Sequence, residues 1–157
     1  MMKKVVLGLV CAMVLAGGAY AQENDSRHIK PTFGLGFVSG TFDSHSENLM
    51  ATFLGVDFVN SFGLTFGLQA SMAWNNDTAG MHVIYGAGYT FVAPRWSAGI
   101  KLMAASEMNT GGLGFGVNGT WWFMESLGLT LALNYLFSIG GTDWDMFGVW
   151  IGASTRF

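Results

Sequence analysis

The chain has 157 residues, of which 51% are hydrophobic, 15% aromatic and only 11% charged, with 23 glycines and a formal net charge of −3. Soluble domains carry about 25% charged residues, so the composition excludes an ordinary water-facing domain, and the length suits a single folded unit. The one cysteine, Cys11, lies in the N-terminal segment, which leaves the rest without a thiol for a disulfide, a thiolate metal site or a nucleophile.

Lys3 and Lys4 precede an apolar run from Val5 to about Gly17, and Ala19-Tyr20-Ala21 matches the small-x-small cleavage rule. Residues 1–21 read as a secretory signal peptide, its apolar core shorter than the ~20 residues of a spanning helix. Leu9 and Val10 are too bulky to make Cys11 a lipid-attachment site. Residues 22–30 are polar and read as a periplasmic leader, and residues 31–157 as the folded domain. No part of that domain has ~18 uninterrupted apolar residues; its apolar residues recur at every second position instead. With helices excluded, a closed β-barrel is the structure that satisfies every backbone group in lipid.

From Pro31 the alternation predicts a first strand at about Thr32 to Gly40, with Phe33, Leu35 and Phe37 opposite Gly34, Gly36 and Val38, then a polar loop from Thr41 to Asn48. A second strand near Leu49 to Phe58 sets Met50, Leu54, Val56 and Phe58 against Ala51, Phe53, Gly55 and Asp57. Asn60-Ser61-Phe62-Gly63 is a tight turn. The third strand, Leu64 to Trp74, has the clearest alternation and puts Thr65, Gly67, Gln69, Ser71 and Ala73 on its small face. After a loop from Asn75 to Gly80, the fourth strand runs from Met81 to Phe91. Ala93-Pro94-Arg95 turns the chain, because proline fixes φ and cannot donate to a ladder. The fifth strand starts at Trp96 and carries Lys101 on its small face, and Glu107 to Gly112 is loop. The sixth, Leu113 to Phe123, and the seventh, Leu129 to Ser138, flank a turn at Glu125-Ser126-Leu127-Gly128 that resembles the first. A loop from Ile139 to Asp145 leads to the last strand, Phe147 to Phe157.

Eight strands of ~9–11 residues, with short turns alternating with longer loops, predict an all-β fold: an eight-stranded antiparallel up-and-down transmembrane β-barrel with both termini periplasmic. The last strand ends on Phe157 and is expected to close against Thr32 to Gly40, since an open edge needs a partner. Aromatics gather near strand ends, with Phe58, Phe62, Phe91, Trp96, Trp121, Phe123 and Phe157 on the turn side and Phe42, Trp74, Phe137 and Trp144 on the loop side, as interfacial girdles do. FVNSFGLTFGL (Phe58 to Leu68) returns as FMESLGLTLAL (Phe123 to Leu133), and GAGYTF (Gly86 to Phe91) as GASTRF (Gly152 to Phe157), which suggests two similar halves. A soluble barrel would turn its small face to water, yet across all the strands that face offers only Asp57, Lys101 and Arg156 as charges. The bulky face is therefore assigned to lipid and the small face to a narrow lumen.

These features resemble the small eight-stranded outer-membrane β-barrel proteins, the superfamily that includes the outer membrane protein A and W barrels. The resemblance covers about Pro31 to Phe157 and rests on the dyad patterning, the loop asymmetry and the terminal Phe157. It implies an outer-membrane location, outer-membrane lipids and the barrel assembly machinery as partners, and Phe157 as the assembly terminus. It names no activity, and the sequence carries no signal of oligomeric state.

In the lumen, Phe53, Trp122 and Trp150, helped by Ile84, Met103 and Leu136, are expected to act as plugs, and the inward glycines to relieve crowding around them. Asp57, Gln69, Lys101, Asn118, Asn134 and Arg156 are the expected polar network. Lys101 near mid-height needs partners to stay charged; Asn118 on the adjoining strand and Asp57 are the candidates, in a buried network that fixes register rather than an ion path. No catalytic residue is assigned. His45-Ser46-Glu47 is not a triad by adjacency, and His82 with Glu107 lacks a nucleophile. His28, His45 and His82 have no metal-ligand spacing, so neither metal nor cofactor is expected. The loops hold Asp43, Glu47, Asp77, Glu107, Asp143 and Asp145 without Lys or Arg, an acidic rim that disfavours nucleic acid. The leading reading is a structural or surface-interaction barrel with a filled lumen. A narrow channel or portal for small, including hydrophobic, solutes stands second, and a lipid-modifying enzyme third.

Overall fold

Residues that alternate large apolar with small or polar side chains can bury one face only as strands, and here the strands close on themselves. The computed structural model describes residues 28–42, 45–75, 79–106, 111–139 and 144–157. Residues 1–27, read above as signal peptide and leader, lie outside them, as do Asp43, Asp77, Glu107 and Asp143. The strands are β1 (His28–Phe42), β2 (His45–Val59), β3 (Leu64–Trp74), β4 (Ala79–Val92), β5 (Trp96–Ser106), β6 (Gly111–Trp122), β7 (Leu127–Ile139) and β8 (Trp144–Thr155). They form a closed barrel in chain order, every neighbouring pair antiparallel, with β8 returning to β1.

The strand count and the phase of each strand are as expected; several ends are not. The β1–β2 hairpin runs on to the Phe42↔His45 pair, through the stretch read as a loop from Thr41 to Asn48. Hydrophobic alternation marks only the part of a strand in apolar surroundings, while backbone groups continue to pair beyond it. At the other end, His28, Ile29 and Lys30, read as leader, belong to β1 and pair with Val59, Phe58 and Asp57.

The closing seam joins β1 and β8 from Thr32↔Ser154 to Phe42↔Trp144. It is interrupted at Pro31, which has no N–H to give. Beyond the proline, Ile29 and Phe157 exchange both backbone hydrogen bonds, at 3.3 and 3.2 Å. Phe157 thus extends the seam past the last residue of β8.

Large apolar side chains face outward and stay exposed, Leu102 at 76% and Phe66 at 62%, whereas inward Thr65 and Ser154 are buried. That is the reverse of a water-soluble protein and suits a hydrocarbon surround. At the turn end Phe91 stacks on Trp96 at 5.3 Å and Trp121 lies 6.2 Å from Phe123, in keeping with an aromatic girdle. Trp144 corrects the expected loop-side girdle. It is buried, because β8 begins at Trp144 and that residue shares the inward phase of Met146, Gly148 and Trp150.

Candidate functional site

The lumen divides into two layers. On the loop side it is apolar and full. Trp150 is 1% exposed, with Phe53 edge-on at 5.2 Å, and Ile84, Met103, Leu136, Val38, Met146 and Trp144 complete the layer. An indole fits here because its neighbours are glycines: a Cβ at Gly36 would fall on the Trp150 ring, and one at Gly148 would lie 2.6 Å from its Nε1. Gly36 and Gly148 thus leave the room that the Trp150 ring occupies. With the Asn134 amide turned so that its oxygen faces the ring, the indole N–H is not stranded: Asn134 accepts from it at 3.2 Å and donates to the Leu133 carbonyl at 3.0 Å.

On the turn side the lumen is charged and hydroxylated. Lys101 on β5 lies over Gly86 of β4 and Gly67 of β3 to reach Oδ1 of Asp57 on β2, and a Cβ at Gly67 would collide with this pair. The other carboxylate oxygen is 3.4 Å from Nζ of Lys30. Lys30 also donates to Asn118 Oδ1 and Thr120 Oγ1, each at 3.4 Å. From Thr120 a chain of hydroxyls continues to Thr130 (2.7 Å), Ser154 (2.5 Å) and Thr32 (2.7 Å), linking four strands. Across the lumen Thr65 donates to Thr90 at 2.7 Å. A cavity of about 50 Å³ remains between the layers, lined by Lys30, Asp57, Gln69, Lys101, Asn118 and Asn134 among others. Gln69 Nε2 is buried there without a hydrogen-bond partner.

Of the expected polar network, Asp57 and Lys101 are joined directly. Asn118 belongs to it but accepts from Lys30 rather than Lys101, Gln69 lines the cavity, and Asn134 serves the plug. Arg156 is not a member. It follows the end of β8 and turns to the rim, where Nη2 donates to the Pro94 carbonyl at 3.3 Å, Nε donates to the Glu125 carbonyl, and the guanidinium lies 4.7 Å over the Trp122 ring. Trp122 thus packs at the turn rim, seated on Gly128, separate from Phe53 and Trp150.

Lys30 was not among the expected residues, although it shares the even-numbered inward phase of Thr32, Gly34 and Gly36. Pro31 hid it, because proline reads as a strand boundary. His45, Ser46 and Glu47 are consecutive residues of β2. His82 is buried in the lumen, and its expected companion Glu107 lies outside the described residues. Among the described residues no three His, Cys, Asp or Glu side chains are placed to hold a metal.

No protein-family model matches the sequence, and no curated protein does. Solved structures do match. Neisserial surface protein A aligns with TM-score 0.62 at 13% identity, over 83% of this chain and 97% of that one. Ail, the attachment invasion locus protein of Yersinia pestis, aligns with TM-score 0.60 at 12% identity, over 85% and 100%. This chain has the fold of the small eight-stranded outer-membrane β-barrels. The N-terminal barrel of OprF from Pseudomonas aeruginosa also aligns, with TM-score 0.51 at 13% identity, over 80% and 97%. At these identities the likeness is one of architecture, so residue roles rest on the geometry above.

Proposed function

We propose that this protein is a non-enzymatic integral outer-membrane barrel with a structural or surface-interaction role, its turns and both termini periplasmic and its loop end outward. The observation that carries the reading is the doubly closed lumen, with Trp150 and Phe53 on the loop side and Trp122 under Arg156 at the turn rim. A barrel sealed at two levels is built to stand in the bilayer and present its ends. The outer-membrane lipids are then its solvent. The barrel assembly machinery is its insertion partner, with Phe157 on the closing seam as the assembly terminus.

Ail has been solved with the heparin analogue sucrose octasulfate. The loops of this chain carry carboxylates and no Lys or Arg, a field that repels such polyanions, so a cationic or neutral surface partner suits it better. Planar-bilayer recording tests the reading: the wild-type protein should give no conductance steps, and steady single-channel openings would overturn it in favour of a narrow channel or portal. The lipid-modifying alternative predicts a mass change in lipid A between cells with and without the protein; none is expected.

A further inference from the structure

Among the described residues, the turn-side network does not balance its charge. Lys30 and Lys101 share a single carboxylate, one ammonium on each oxygen of Asp57. The other partners of Lys30, Asn118 and Thr120, are neutral acceptors. Among the described residues, His28 begins β1 at this end, Arg95 and Arg156 lie at the turn rim, and Glu125 is exposed on its turn. None of them forms an ion pair with Lys30 or Lys101. An ammonium without a counter-charge is expensive in a barrel surrounded by hydrocarbon.

The cavity beside the lysines is equipped for what is missing. It is lined by both ammonium-bearing side chains and by Gln69, whose Nε2 is a buried donor without an acceptor. Asn118 spends its oxygen on Lys30. The carboxylate, the one strong acceptor present, is already engaged on both oxygens, so the free hydrogen-bonding capacity is mostly that of donors. At about 50 Å³ the space exceeds the ~10–15 Å³ that one water needs. It falls far below the roughly 300–1,000 Å³ of small-molecule pockets, so drug-sized organic anions are excluded by size.

We propose that the cavity binds a small monovalent anion of the halide class, between Lys30 and Lys101 and against the Gln69 amide. The bound anion neutralises the surplus charge and completes the network that ties β1, β2, β5 and β6 together. The inference is independent of what the loop end contacts.

Thermal unfolding of the full protein, refolded into vesicles, tests this at constant ionic strength in chloride or bromide against gluconate, which is too large to enter. A ligand that binds only the folded state raises the midpoint with concentration. The wild type should therefore melt several degrees higher in halide, and K30M, which leaves a neutral Lys101–Asp57 pair, should lose that difference. Q69L keeps both charges and should need several-fold more halide for the same shift. Bromide soaked into crystals should give an anomalous peak between the two Nζ atoms. Equal midpoints in halide and gluconate, an undiminished halide effect in K30M, or the absence of a peak at that position would each overturn the proposal. If K30M does not fold, the Q69L titration and the bromide peak decide it.

Discussion

The two layers of the lumen are made by the same eight strands with the same alternation, yet they close the barrel by different physics. The loop-side layer is a dry packing of indole, phenyl and aliphatic groups seated over glycines. The turn-side layer is a set of hydrogen bonds and ion pairs around a small cavity. The first fills the loop-side lumen and depends on shape. The second pins register, because it joins strands distant in the chain, and a one-residue slip would turn Lys30, Asp57 and Lys101 out into lipid.

The comparison is broken most severely at Asp57. Asp57→Asn leaves two buried ammonium groups without a counter-charge and should cost about 3–5 kcal/mol, read as a lower urea midpoint for unfolding from vesicles. Trp150→Ala should cost about 3–5 kcal/mol, the range for a fully buried tryptophan. It should leave the barrel non-conducting until Trp122→Ala is added, since the turn rim is closed separately; conductance in the single variant would show the layers are not independent. Gly36→Ala places a methyl against the Trp150 ring and should cost about 1–3 kcal/mol, with the loss visible in near-UV circular dichroism of the indole. Ser154→Ala interrupts the hydroxyl chain between Thr130 and Thr32 and should cost about 1 kcal/mol, with amide exchange accelerated along the β1–β8 seam and little changed at Trp150.

How much of this was legible in the chain depended on the range of the signal. The facing of Phe33, Leu68 or Ile100 towards lipid is local, and it was read correctly. Trp144 was misplaced because a residue taken for loop has no phase, and Lys30 was missed because Pro31 masked the continuation of β1. The repeated turns show the limit of sequence likeness. Gly63 has φ +84° and closes its turn, with Asn60 Oδ1 accepting from the N–H groups of Phe62 and Leu64 at 2.9 Å each. Its counterpart Gly128 lies inside β7, where it makes room for Trp122. The same letter answers a backbone need in one half and a packing need in the other.

The sequence by itself determined the number of strands and the face that most strand residues take, because a period of two is set by each strand's own geometry. Only the tertiary structure decided which inward groups meet. Closing a staggered sheet lays Lys101 across two strands onto Asp57, adds Lys30 on the carboxylate's other oxygen, and leaves Arg156 at the rim. Those meetings are set by the curvature and shear of the closed barrel, which no single strand encodes.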